Sequence, residues 1–132
     1  MISIQLENNQ QVFQPGDTIT GIVRWKNLHT PLDRVELRLI WFTRGKGNLD
    51  VGVHDSRTFE HPLESDQQEF HFVAPEEPYS FSGKLISLIW AIEAIAFPSQ
   101  EAAQVEIVVA PEGKEILLHL GDAQSTASSS SF

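Results

Sequence analysis

The chain contains no cysteine, which removes disulfides, thiolate nucleophiles and cysteine-based zinc sites together. Cations are scarce. Nine Lys and Arg stand against eighteen Asp and Glu, giving a net charge of −9. A phosphate backbone or an anionic lipid surface is repelled by that balance, so nucleic acid is not an expected partner. No apolar run approaches membrane-spanning length, and direct membrane insertion is not expected either. Met1-Ile2-Ser3-Ile4-Gln5-Leu6 lacks the basic start and long apolar core of a signal peptide, so the expected location is cytoplasmic. A convincing amphipathic helix and an internal repeat are also missing, which turns attention to strands.

What is present suffices for one folded domain. At 132 residues, with 41% apolar and 20% charged residues, the chain can bury a core without staples and lies far from the disordered class. Periodicity of two dominates. Ile2, Ile4 and Leu6 alternate with polar residues, and Val35, Leu37, Leu39 and Trp41 alternate with Glu36, Arg38, Ile40 and Phe42. Gln14-Pro15-Gly16-Asp17 predicts a turn, because Pro presets φ and Gly supplies φ > 0, and the β-branched stretch from Thr18 to Val23 predicts a strand after it.

Further strands are predicted over Val51–Glu60, Gln67–Val73, Leu85–Phe97 and Gln104–Val109, making about seven or eight in all. Leu85–Phe97 is apolar on both alternating faces and suits a central strand; a buried helix is the competing reading. The expectation is an all-β, immunoglobulin-like antiparallel β-sandwich. Residues 1–110 would form the sandwich and 111–120, with the apolar patch Ile116-Leu117-Leu118-His119-Leu120, an extra edge strand. Residues 121–132 would be a disordered, serine-rich tail.

Particular residues narrow the kind of sandwich. Val12-Phe13-Gln14-Pro15-Gly16-Asp17-Thr18-Ile19-Thr20-Gly21-Ile22-Val23 resembles the early turn and strand of the arrestin N-terminal domain, where an aromatic, a Pro-Gly-Asp and a Gly recur in that order. Phe70-His71-Phe72-Val73-Ala74-Pro75, then Pro78-Tyr79-Ser80-Phe81-Ser82-Gly83 and the strand from Ile86 to Ala94, resemble that family's second hallmark. Arg34-Val35-Glu36-Leu37-Arg38-Leu39 resembles its alternating third strand, so the resemblance spans about residues 1 to 110. The arrestin-like families, among them α-arrestin trafficking adaptors, a retromer sorting subunit and bacterial sporulation-control proteins, act by binding. The resemblance therefore implies a non-enzymatic adaptor or scaffold with a protein partner. A self-assembling structural protein, a homo-oligomer, is the alternative. Arrestins pair two sandwiches and place basic residues near the N-terminus; this chain shows neither, so recognition of phosphorylated receptors is not implied. An immunoglobulin-like or fibronectin-like sandwich would show the same alternation without the two hallmarks.

Arg44-Gly45-Lys46-Gly47-Asn48-Leu49-Asp50-Val51 lies where the arrestins place a receptor-probing loop. Arg44, Lys46, Asn48 and Leu49 are thus the candidate partner-binding residues, because a permissive loop on a rigid sandwich is a usual place for recognition. No constellation argues for catalysis or a cofactor. His29, His54, His61, His71 and His119 lack metal-ligand spacing, although His61 and His71 would approach each other across a hairpin between Phe59 and Phe72. His54, Asp55 and Ser56 are consecutive strand residues whose side chains point to opposite faces, so they do not form a triad. The acidic stretch of Glu64, Asp66 and Glu69 fits no cation loop. Trp25, Trp41 and Trp90 are predicted to pack in the sandwich. Ile40, Phe42, Ile89 and Ile95 fall on the opposite face from Trp41 and Trp90, so the outer side of that sheet is unusually apolar and calls for a cover, with Ile116–Leu120 as one candidate.

Overall fold

A computed structural model describes residues 1–26, 32–45, 49–83, 86–111 and 116–117. Ten strands run through them: β1 (Ile2–Leu6), β2 (Val12–Phe13), β3 (Thr18–Trp25), β4 (Arg34–Gly45), β5 (Val51–Glu60), β6 (Asp66–Val73), β7 (Phe81–Ser82), β8 (Ile86–Phe97), β9 (Ala102–Val109) and β10 (Ile116–Leu117). Seven of these have five residues or more, and β2, β7 and β10 are two-residue strands. The expected strand count is that of the longer elements. Short pairings such as β7 leave too little alternation to be read from sequence.

The strands form two sheets. The smaller has the order β1-β3-β6, all antiparallel. In the larger, β4 lies between β5 and β8. The far side of β8 is paired first with β7, through Leu88 and Ser87, and then with β9 from Trp90 to Ile95. β2 joins the end of β9 in parallel, and β10 runs parallel to β7. Ile116 and Leu117 therefore pair at the margin of the sheet, and the rest of the expected edge strand, 112–115 and 118–120, lies outside the described residues. β8 is the predicted central strand, which removes the helical reading; Leu85 and the segment from Gly121 onward lie outside the described residues.

The core fills the space between the sheets. Ile19, Val23 and Trp25 of β3 and Phe70 and Phe72 of β6 face Val35, Leu37 and Leu39 of β4 and Leu88, Trp90, Ile92 and Ala94 of β8. Trp25 and Trp90 are fully buried, and each indole N–H finds a carbonyl, Leu63 O and Pro78 O respectively, both at 2.8 Å. Trp41 packs against the core while remaining half-buried.

The two hallmark segments are bonded to each other. Gly16 has φ of 89° and the Asp17 N–H donates to Gln14 O at 3.0 Å, the geometry for which Pro-Gly at the centre of a turn is suited. The turn is then clamped to the second hallmark, because Ala74 N–H donates to Asp17 O at 2.8 Å and Gly16 N–H to Ala74 O at 2.9 Å. Ser80, the one buried polar residue among the described residues, accepts the Val109 N–H on its hydroxyl at 2.9 Å and donates its own N–H to Val109 O. Ala110 N–H then donates to Phe13 O, closing the circuit. Gly21 is required by close approach: a Cβ there would sit 2.7 Å from the Gln5 carbonyl oxygen and 2.8 Å from the Phe70 ring.

One expected pairing does not form. β5 pairs with β4 and β6 with β3, so the segment from Phe59 to Phe72 is a crossover between sheets and not a hairpin. His61, at φ of 47°, turns the chain out of the large sheet, and the expected approach of His61 and His71 across a ladder is lost.

Candidate functional site

A β-bulge decides what the outer face of the large sheet presents. Along β4 and β5 the register runs Leu37 with Arg57 and Leu39 with Asp55, then jumps to Ile40 with Val53 and Trp41 with Gly52. His54 is the extra residue. Without it, Val51 and Val53 would share a face with Phe59 and enter the core; with it, they turn outward. They are 67% and 56% exposed. The imidazole of His54 meets the Trp90 ring edge-on at 5.8 Å, and Gly52 leaves the room that the Trp41 indole occupies, since a Cβ there would fall onto its Nε1 and Cε2 atoms.

Beside this ridge lies a groove of about 400 Å³. Ile40 and Phe42 of β4 and Ile95 of β8 line it together with Leu49, Val51 and Val53, and Arg38, Glu93 and Gln104 contribute its polar lining. Ile40, only 6% exposed, is covered by its neighbours on this side although it belongs to the outer face. The charges around the groove are paired with one another. Glu36 accepts from Arg34 Nε at 2.6 Å and Arg38 Nη2 at 2.7 Å, and Arg38 also lies 3.9 Å from Glu93. These two guanidinium hydrogen bonds, Arg38 first and then Arg34, hold the Glu36 carboxyl below the ordinary carboxylate range. Arg34 also stacks on Phe97, 4.1 Å from the ring centroid.

The sheet edges at β5 and β6 are guarded. On β5, the bulge is followed by two charged residues directed inward: Arg57 lies 4.7 Å above the buried Phe72 ring, and Asp55 accepts from it at 2.9 Å. Burial pulls the Asp55 pKa upward, but the Ser56 N–H and Arg57 outweigh it, so the carboxyl titrates below its ordinary range. Arg57 Nη2 also donates to His71 O at 3.0 Å, occupying a carbonyl of β6, the edge strand of the small sheet. Bulges and inward charges are the devices by which edge strands resist added strands.

Of the candidate partner-binding residues, Leu49 lines the groove and is exposed. Arg44, the penultimate residue of β4, pairs with Glu106 at 2.6 Å, next to a second hollow that it lines with Val12, Ser87 and Ile89. Lys46 and Asn48 lie outside the described residues. Sequence reasoning missed Val51 and Val53, because simple alternation assigns them to the core side. Among the described residues, no group of three or more His, Asp and Glu is placed to hold a metal ion. The Asp55 carboxylate is committed to Ser56 N–H and Arg57, and the bulge turns both His54 and Asp55 toward the inner side, contrary to the expectation that these neighbours point to opposite faces. No helix among the described residues is long and apolar enough to cross a membrane.

No family model matches the sequence, and no curated protein does. Solved structures do. The chain superposes on the crystal structure of Spo0M, a sporulation control protein from Bacillus subtilis, with a TM-score of 0.61 and 19% identity, over 83% of this chain and 48% of that one. The fold is an arrestin-like β-sandwich. A β-glucosidase from Listeria innocua also aligns, at a TM-score of 0.44 and 10% identity, covering 16% of its chain. The arrestin-like domain thus spans about half the length of the Spo0M chain.

Proposed function

We propose that this arrestin-like domain is a non-enzymatic protein-binding module, and that it binds through the outer face of the large sheet. One observation carries the reading: the sheet edges at β5 and β6 are guarded, whereas the groove lined by Ile40, Phe42 and Ile95 stands open beside an exposed ridge of Val51 and Val53. An apolar groove ringed by internally paired charges admits a partner's large apolar side chain without stranding a charge. The net charge of −9 disfavours nucleic acid as the occupant.

The test is affinity capture with the full chain and two variants, Val53→Glu and Leu49→Ala. Val53→Glu, which places a charge at the mouth of the groove, is expected to abolish capture of the bound protein, and Leu49→Ala to weaken it, with circular dichroism unchanged in both. Equal capture by all three proteins would refute the reading.

A further inference from the structure

We infer that the groove's occupant is a second copy of this chain, packed face to face about a two-fold axis; this rests on the outer face being the binding surface. An isologous contact requires a patch that fits itself, so that residue i meets j and j meets i. Here ridge and groove lie side by side: Val51 and Val53 project from β5 while Ile40 and Phe42, their register partners on β4, lie lower beside them. A half-turn sets each copy's ridge over the other's groove.

Charge supports the same occupant. Two chains at −9 repel each other, yet the described outer-face strand positions hold Arg34, Arg38 and Arg44 against Glu36, Glu60, Glu93 and Glu106. This is therefore a nearly neutral surface on a strongly acidic chain, so a second copy can approach it without the repulsion that the net charge imposes elsewhere. A two-fold contact uses each copy's patch once, so the assembly closes at two, and the guarded edges at β5 and β6 do not extend it by strand addition on that side.

Light scattering of the full chain across a concentration series reads the proposal directly, alongside Val53→Glu and a matched variant on the small sheet, Val73→Glu, which alters an equally exposed valine. The expected result is a monomer–dimer equilibrium for the natural chain and for Val73→Glu, with dimerisation weakened at least about tenfold by Val53→Glu, a change of about 1.4 kcal/mol. A thermal melt of each variant verifies folding. A monomeric mass at every concentration, or equal weakening by both variants, would overturn the dimer. If the chain is monomeric but Val53→Glu still abolishes protein capture, the groove belongs to a different protein and the binding reading survives alone. If the chain is monomeric and capture is also unchanged, both readings fall.

Discussion

The two sheets turn different outer faces to solvent. On the small sheet, Arg24 bridges three strands, donating from Nε to Gln67 on β6 at 3.0 Å and from Nη1 to Gln5 on β1 at 2.9 Å, among Thr18, Thr20 and Glu69. Its apolar members, Ile22 and Val73, are scattered singly, as on any soluble surface. On the large sheet, the apolar residues are contiguous and the charges are drawn into ion pairs around them. Both faces are built from alternating strands, so the difference lies in what alternation is made to present: water-facing polarity on one, a contiguous apolar groove on the other.

The sharpest ways to probe that contrast begin with glycine. Gly21→Ala in the small sheet is expected to cost the most, about 3 kcal/mol, because the added Cβ meets a backbone carbonyl that cannot step aside. Urea unfolding would measure it, and a loss under 1 kcal/mol would show that β1 shifts readily. Gly52→Ala in the large sheet is expected to cost less, about 1–2 kcal/mol, because the half-buried Trp41 indole can swing. A redshift in tryptophan fluorescence should accompany it.

Glu36→Gln removes the ion pairs beside the groove and is expected to cost about 1 kcal/mol at neutral pH. The folded-state pKa of Glu36 is depressed, so its contribution is complete above the ordinary value of 4.5 and is lost as pH falls through the folded value. The stability gap between natural chain and variant should therefore hold at pH 6–7 and close in acid; a gap unchanged down to pH 3 would contradict the pairing. Arg24→Gln on the small sheet is expected to change stability by less than about 0.5 kcal/mol, since its bonds are solvent-exposed. A larger loss would mean that the polar face is as structural as the apolar one.

Much of this was legible in the sequence, and the reasons differ between strands. β3 and the first part of β4 alternate, so Val23, Leu37 and Leu39 can be assigned to the core from period two alone, whereas β8 is apolar on both faces and its inward side is set by its neighbours. The Pro15-Gly16 turn is likewise local, because its chemistry is set by φ at two residues. β5 was not legible in the same way. Val51, Val53, Asp55, Arg57 and Phe59 form an unbroken alternating series, yet Phe59 packs against the core while Val51 and Val53 face outward. Bulge formation leaves no fixed residue signature; the register that β4 imposes through Leu39 and Ile40 decides it.

What the sequence by itself determined is the class of fold, the central place of β8 and the turn that opens β3, because periodicity, β-branched content and turn chemistry act between near neighbours. Tertiary structure alone decided that the Pro-Gly-Asp turn is clamped to Ala74, that Phe59 and Phe72 sit in different sheets, and that two valines of β5 leave the core to form a ridge. Each of those outcomes depends on which strand becomes a neighbour. That choice is settled by packing between residues distant in sequence, which no local pattern encodes.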